Sequence, residues 1–166
     1  EPVLAFRAML DGGLSRIPYV DLDVHPGDGV ADAFATDPRV LVISVHEAGR
    51  WPHSGRMEEE GQGNLFNYPV PPGMCDDEMD ALIGDAIGPL VESFRPEAMV
   101  IQCGADALAD DPLAKQMLSN TALWRGVAAL RDLAPRLLVL GGGGYNPWSV
   151  ARCWTGIWAK LNDLEI

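Results

Sequence analysis

The chain is poor in cysteine, in basic residues and in long apolar runs. Its three cysteines, Cys75, Cys103 and Cys153, are odd in number and widely spaced. That spacing argues against a disulfide framework or a cysteine zinc site and favours a reducing cytoplasm. No apolar run has the length of a membrane span, and no signal-peptide pattern is found. Only 12 Lys and Arg stand against 24 Asp and Glu, and the net charge of −12 argues against nucleic acid or an anionic membrane as a partner.

The apolar residues that are present predict an α/β domain. The chain has 166 residues and is 48% hydrophobic, which is enough for one domain with a sizeable core. Alternating strands and helices favour a mainly parallel sheet. A long polar loop, functional or mobile, is predicted over 46–67. Helices are predicted over 3–11, 29–36, 77–94, 122–134 and 150–161, and strands over 17–24, 40–45, 98–103 and 136–140.

The most informative stretch, residues 19–30, reads Y-V-D-L-D-V-H-P-G-D-G-V. Alternation along a strand places Asp21, Asp23 and His25 on one face. Buried carboxylates need a cation or hydrogen-bond donors, and an Asp and an imidazole two residues apart are a reasonable pair of zinc ligands. The alternative is an acidic strand-to-helix turn in which Asp28 caps the following helix.

Polar or glycine-rich segments follow all four predicted strands, where ligand sites of parallel sheets gather. Asp106, after I-Q-C-G-A-D, completes an Asp-His-Asp set with a position left open, the pattern of catalytic zinc. It could instead be a helix cap or a turn residue.

Tyr145 follows the glycines of residues 141–144, which permit close approach to a ligand. It could donate a hydrogen bond to a developing oxyanion, or simply pack against the sheet edge. A phosphate-binding loop is the rival interpretation of these glycines, but their spacing matches neither the dinucleotide-binding fingerprint nor the P-loop lysine pattern.

The chain carries the motifs D-L-D-V-H-P-G-D-G-V, I-S-V-H, I-Q-C-G-A-D-A-L-A-D-D-P, L-G-G-G-G-Y-N and V-A-R-C-W-T. Together these five motifs resemble the zinc-dependent histone deacetylase family, which includes acetoin-utilisation proteins and acetylpolyamine amidohydrolases. The resemblance implies a three-layer arginase-like fold and hydrolysis of an acetyl-lysine or acetylamine amide, with Zn²⁺ or another divalent transition metal as cofactor. It covers nearly the whole chain, but only the C-terminal part of the family domain.

The same resemblance implies roles for individual residues. The positions that match the zinc ligands are Asp23, His25 and Asp106, and Tyr145 matches the tyrosine that polarises the scissile carbonyl. A structural potassium site is implied at Asp21, Asp23, His25, Ser44 and Val45. The substrate channel is implied at Trp51, Pro52, Gly143 and Gly144.

Several departures from the family pattern concern catalysis. The general base of the family is one of two adjacent histidines, whereas this chain has only His25, His46 and His53. Asp21 and Asp28 match the carboxylates that orient those histidines, so here they lack their partners. The segment F-P-G-T-G reads W-P-H-S-G, and Pro26 replaces the second histidine of D-V-H-H-G-D-G.

These departures leave two functions open. One is a zinc amidohydrolase whose preceding half lies in a longer protein or in another chain. The other is an inactive, metal-binding assembly module, and a metal-free acidic site is a more distant third. The strand order of the family predicts that the strand over 137–140 lies at a sheet edge. Since an apolar edge tends to pair, self-association or a missing N-terminal half is expected to cover it.

Overall fold

The computed structural model, which describes residues 2–166, has a parallel sheet between two layers of helices. Five strands lie in the order β3-β2-β1-β4-β5, and all neighbouring pairs are parallel. The expected α/β class with a mainly parallel sheet is therefore confirmed. The strands are β1 (Ile17–Asp21), β2 (Val40–Glu47), β3 (Leu65–Val70), β4 (Met99–Gln102) and β5 (Leu137–Leu140).

Apolar residues on both faces of the strands bury the sheet. On one face Tyr19 and Val42 pack with Phe6 and Phe34 of the first two helices. Alternate residues such as Ile43 point to the opposite face, where the remaining helices pack. The helices are α1 (Pro2–Asp11), α2 (Asp28–Phe34), α3 (Asp76–Leu82), α4 (Gly88–Phe94), α5 (Asn120–Leu130) and α6 (Pro147–Leu161).

The helix expected over 77–94 is interrupted by one wider turn. A π-helical turn at Ile83–Ile87 joins α3 to α4, and the helical segment ends where Arg95 takes a left-handed conformation with φ 53°. The buried residues Met79, Ile83, Ile87 and Val91 recur every four residues along this segment, which is typical of the apolar face of a helix.

Two strand predictions need correction. The segment Leu65–Val70 lies within and beyond the stretch predicted as a loop, yet it forms β3 and pairs with β2. Asn67 and Pro69 hide it in the sequence because both are uncommon in strands, and Pro69 is tolerated because β3 is an edge. Regular pairing of β1 ends at Asp21 rather than at residue 24, although the N–H of Leu22 still donates to the carbonyl of Gln102.

The other edge of the sheet is β5, as the resemblance implies. Within residues 2–166, β4 is the only strand that pairs with β5. Leu138 at this edge is 36% exposed, which is high for a leucine in a sheet. Among the described helices, none is long and apolar enough to span a bilayer.

Candidate metal centre

The candidate site lies at the carboxyl ends of the three adjacent strands β1, β4 and β5. Asp23 and His25 follow β1, Asp106 follows β4, and residues 141–145 follow β5. Because all three strands run in the same direction, their carboxyl ends lie side by side at one end of the sheet. Asp106 lies in a short 3₁₀ turn, Ala105–Ala107, and its side chain is fully buried.

The side chains of Asp23, His25 and Asp106 converge. Each offers one ligand atom, and these atoms all lie within 4.8 Å of one another. The His25 Nδ1 atom is 3.1 Å from Asp23 Oδ1 and 3.0 Å from Asp106 Oδ2. Two carboxylates and one imidazole at these separations form a donor set that suits zinc.

Backbone N–H groups hold both carboxylates in place. Asp23 Oδ2 accepts a hydrogen bond of 2.7 Å from Gly143 N–H, and its Oδ1 accepts one of 2.9 Å from His25 N–H. Asp106 Oδ1 accepts a hydrogen bond of 3.1 Å from Val24 N–H. The ligands are thus oriented by the chain itself, as metal ligands commonly are.

One oxygen of the cluster has no hydrogen-bond partner. Asp106 Oδ2 is buried, and although His25 Nδ1 lies 3.0 Å away, the two atoms are not aligned as a hydrogen bond. A buried unpaired carboxylate oxygen is costly, and natural proteins keep few of them. A divalent cation bound between the three side chains would satisfy it, so the residues present fit a metal ion.

The protonation behaviour reflects the same crowding. Burial, followed by the nearby charge of Asp23, raises the pKa of Asp106 to about 7. Burial also acts to raise the pKa of Asp23, but hydrogen bonds from His25 and Gly143 outweigh it and hold that pKa below its usual value. The hydrogen bond with Asp23 raises the pKa of His25 despite the opposing effect of burial. A metal ion must compete with these protons, because its ligands bind in their deprotonated forms.

Glycines surround the cluster because no larger residue would fit. A Cβ atom on Gly143 would lie 2.0 Å from Asp106 Oδ2, and one on Gly104 would lie 2.2 Å from Asp23 Oδ2. Both distances are far below van der Waals contact. The glycine loop therefore lets the backbone approach the carboxylates closely.

Asp21 and Asp28 lie beside the cluster but differ in environment. Asp21 is 1% exposed, and its carboxylate accepts hydrogen bonds from Tyr19 Oη at 2.7 Å and Asp23 N–H at 3.0 Å. Burial, followed by the charge of Asp23, raises the pKa of Asp21 to about 8. Asp28 is the first residue of α2, and its side chain accepts from Gly29 N–H rather than closing a full cap. Both residues line an open cavity of about 240 Å³ next to Asp23 and His25.

Two of the residues matched to a potassium site, Asp23 and His25, belong to the cluster, and the other three lie on β1 and β2. Ser44 pairs in register with Asp21 across β1 and β2. Ser44 Oγ accepts a hydrogen bond of 3.1 Å from Gly27 N–H and is 2.9 Å from His46 Nδ1. Val45, the next residue of β2, is 3% exposed. The structure therefore places Asp21 and Ser44 together, and an ion between them stays a prediction.

Tyr145 follows the glycines of residues 141–144, which contact the cluster. Its side chain is 51% exposed. Partial burial raises its pKa, and the negative charges of Asp106 and Asp23 raise it further. The preceding Gly144 has φ 142°, where a side chain is strained, and a Cβ there would lie 2.6 Å from Val150. The phenol thus lies within the electrostatic field of the cluster rather than buried against the sheet edge.

The predicted channel residues Trp51 and Pro52 are less directly involved. Trp51 is 71% exposed, and neither residue lines the cavity beside the ligands. Their loop is held by Arg50, whose Nη2 lies 2.5 Å from Glu47 Oε1 and whose Nη1 donates to the carbonyl of Leu113.

Sequence reasoning assigned no role to Asp111. This carboxylate is 6% exposed and accepts a hydrogen bond of 2.7 Å from Tyr145 N–H. The doublet Asp110-Asp111 before a proline is the signal that could have drawn attention to it. Nothing in one sequence, however, distinguishes a buried aspartate from an exposed turn residue.

Comparisons with known proteins agree with this geometry. The family model described as "Histone deacetylase domain" matches residues 1–161. The chain is 40% identical over 144 residues to a putative histone deacetylase 2 of Caenorhabditis elegans, covering 84% of this chain and 28% of that protein. It is 37% identical over 156 residues to human histone deacetylase 1, covering 91% and 32%. The chain thus spans about a third of the length of the curated relatives it matches.

Solved structures match over almost the entire chain. An HDAC homologue complexed with SAHA superposes with a TM-score of 0.90 at 37% identity, over 99% of this chain and 46% of that one. An HDAC homologue from Aquifex aeolicus superposes with a TM-score of 0.93 at 35% identity, with the same coverage. The deacetylase-like fold expected from the motifs is therefore confirmed.

Proposed function

Because the chain belongs to the histone deacetylase family, we propose that it provides the metal ligands and the catalytic tyrosine of a zinc-dependent amidohydrolase. The substrate class is an acetyl-lysine or another acetylated amine. The observation that carries this proposal is the convergence of Asp23, His25 and Asp106 around an unpaired, fully buried carboxylate oxygen. Three protein ligands with room for a fourth are typical of catalytic zinc.

The three converging side chains would hold Zn²⁺ or another divalent transition metal. When bound, the ion supplies Lewis-acid polarisation of a carbonyl and lowers the pKa of a water molecule. The chain orients these ligands through the N–H groups of Gly143, His25 and Val24.

Tyr145 acts on the substrate in this proposal. Its phenol donates a hydrogen bond to the amide oxygen, which gains negative charge as the bond is attacked. A tyrosine phenol is protonated at neutral pH, as a donor must be, and the raised pKa of Tyr145 favours the protonated form further. The assignment of Gly143, Gly144, Trp51 and Pro52 to the substrate channel rests on the resemblance to the family and stays a prediction.

The proton of the attacking water has no evident acceptor among the described residues. Both ring nitrogens of His46 are engaged, with Ser44 Oγ and with the carbonyl of Gly55. His53 lies on an exposed loop with its Nδ1 3.0 Å from the carbonyl oxygen of Gly49. Asp21 is tied to Tyr19 and to the backbone of Asp23. We therefore propose that the general base comes from a preceding half of the domain, in the same or another chain, and that residues 1–166 alone are weakly active or inactive.

A second surface supports the need for a partner. The unpaired edge of β5 adjoins an apolar cavity of about 230 Å³ lined by Leu140, Trp154, Trp158 and Leu161. Trp158 is 59% exposed, which is unusual for so large an apolar side chain. We propose that the preceding half, or a second copy of the chain, covers this surface.

We also propose a potassium site that shares Asp23 and His25 with the candidate metal centre. Asp21, Asp23 and His25 would contribute together with Ser44 and Val45, partly through backbone oxygens. The register pairing of Asp21 with Ser44 supports this proposal.

An inactive metal-binding module remains the second candidate, and the lack of a free base among residues 2–166 favours it. Deacetylation of an acetyl-lysine peptide by zinc-loaded protein distinguishes the two. For the hydrolase, addition of the preceding half of the domain raises the rate by about 10²–10⁴-fold, the usual contribution of a general base, and Tyr145→Phe removes the gain. No turnover after addition of a folded, bound preceding half would leave only the inactive module.

A further inference from the structure

Asp111 joins two loops that border the candidate metal centre. Its Oδ2 atom accepts a hydrogen bond of 2.7 Å from Tyr145 N–H, and its Oδ1 atom accepts one of 2.9 Å from Leu113 N–H. Asp111 is 6% exposed, and both bonds are partly buried. Bonds from backbone N–H groups to a carboxylate are among the stronger hydrogen bonds in proteins.

The loop before Tyr145 is fixed independently at Gly143. Gly143 N–H donates to Asp23 Oδ2 at 2.7 Å, and the carbonyl of Gly143 accepts from Ala105 N–H at 2.7 Å. Only Gly144, which has a φ of 142°, separates this anchor from Tyr145. Tyr145 therefore has one carboxylate, Asp23, holding the chain before it and a second, Asp111, holding its own N–H.

The other oxygen of Asp111, which accepts from Leu113 N–H, connects Tyr145 to the loop that carries Trp51. The carbonyl of Leu113 accepts a hydrogen bond from Arg50, and Arg50 pairs with Glu47 at 2.5 Å. The second carboxylate oxygen of Glu47 accepts from Lys115 N–H at 2.9 Å. The loop that carries Trp51 and the loop that carries Tyr145 are thus joined through Asp111.

We infer that Asp111 is a positioning residue that sets the Tyr145 phenol relative to Asp23, His25 and Asp106. The role rests on the proposed function, because it deepens the part that Tyr145 has there. Asp111 acts through the backbone of Tyr145 and through the loop of Leu113. A displacement of about 1 Å at a catalytic group can cost on the order of 10²-fold in rate.

The neighbouring Asp110 offers a matched control. Its carboxylate is exposed and contacts Arg152 at 3.2 Å and Ser149 Oγ at 3.4 Å, both on α6. Its carbonyl accepts from Asn146 Nδ2, a bond that a side-chain substitution leaves intact. Asp110→Asn therefore changes the same turn without touching the N–H of Tyr145.

Fluorine NMR of the chain labelled with 3-fluorotyrosine tests the placement without any activity. The chain has three tyrosines, so each signal can be assigned with its Tyr→Phe variant. We expect Asp111→Asn and Asp111→Ala to move the Tyr145 signal and to reduce its response to added Zn²⁺ at least about twofold. The Tyr19 and Tyr68 signals, and all signals of Asp110→Asn, should stay as in the wild type.

Two outcomes would overturn the inference. An unchanged Tyr145 signal in both Asp111 variants means that Asp111 does not place the residue. Movement of all three signals together means that Asp111 only maintains the fold. Asp111→Asn retains one carbonyl oxygen and therefore one of the two bonds, so it keeps the test available if Asp111→Ala does not fold. If no variant or wild type binds Zn²⁺, the proposed function fails, whereas the zinc-free spectra still decide the role of Asp111.

A kinetic comparison in the presence of the preceding half of the domain adds a second readout. We expect Asp111→Ala to lower kcat about 10–100-fold with little change in KM, because orientation of the phenol matters in the transition state. In a Tyr145→Phe background the same substitution should have almost no further effect. Equal losses in both backgrounds would contradict a role through Tyr145.

Discussion

Gly143→Ala is the substitution that most sharply links the backbone of this chain to metal binding. The new Cβ would lie 2.0 Å from Asp106 Oδ2 and 2.7 Å from Asp106 Cγ. Real Cβ contacts stay above 3.0 Å, so the carboxylate and the glycine loop must separate by at least about 1 Å. Gly143 is not among the glycines with positive φ, so the effect is steric rather than conformational.

The expected result is a large loss of zinc affinity. Metal sites tolerate ligand displacements of only about 0.2 Å, so a shift of 1 Å removes Asp106 as an effective ligand. Displacing an outer-shell partner costs about 10–100-fold in affinity, and a lost ligand at least the upper figure, or about 2.7 kcal/mol. Zinc titration against a chromogenic chelator measures this change.

Gly84→Ala is the matched control, since a Cβ there meets no atom within 4 Å. It should bind zinc like the wild type and be at least as stable, because alanine is favoured over glycine in helices by about 1 kcal/mol. Thermal unfolding followed by circular dichroism shows whether Gly143→Ala still folds. A folded Gly143→Ala variant with wild-type zinc affinity would refute the steric reasoning.

Three further predictions concern stability and association. Burial lowers the pKa of His46, so the folded state binds a proton at this imidazole less readily than the unfolded state does. The free energy of unfolding should therefore fall as the pH drops below about 6.5. Urea titrations at pH 7.5 and 5.5 measure this change, which should be smaller in His46→Gln. An equal change in the free energy of unfolding between the two pH values in both proteins would contradict this prediction. Gly156→Ala places a Cβ 2.0 Å from the indole of Trp124 and should cost about 1–3 kcal/mol by overpacking, measured by chemical denaturation; a neutral result would mean that α5 and α6 separate freely. Trp158→Glu should weaken association with a second copy or with the preceding half in analytical ultracentrifugation, whereas Trp148→Glu should not; a wild-type chain that binds neither would refute a partner at β5.

The extent to which sequence predicted the fold depended on how strongly each segment is patterned. β2 was predictable because V-L-V-I-S-V is an uninterrupted β-forming run, and all its residues are buried. β3 was not, because Asn67 and Pro69 interrupt its apolar pattern and only pairing with β2 makes it a strand. The π turn at Ile83–Ile87 was not predicted, although Pro89 lies just after it and removes a backbone N–H donor from the helical segment.

The candidate site divides in the same way. That Asp23, His25 and Asp106 lie together followed from parallel strands sharing one edge, and the structure brings them together. Their role as zinc ligands stays a prediction. The contribution of Asp111 was not predictable, because its importance depends on a contact with Tyr145 across 34 residues of chain.

Zinc stoichiometry tests the central claim most directly. The wild-type chain is saturated with Zn²⁺, dialysed against metal-free buffer and measured by elemental analysis, beside Asp106→Asn and the exposed control Asp132→Asn. The account predicts about one zinc per chain in the wild type and in Asp132→Asn, and a large loss in Asp106→Asn, because a carboxamide is a much poorer zinc ligand than a carboxylate. Equal zinc content in all three proteins, or none in the folded wild type, would contradict a metal centre at Asp23, His25 and Asp106.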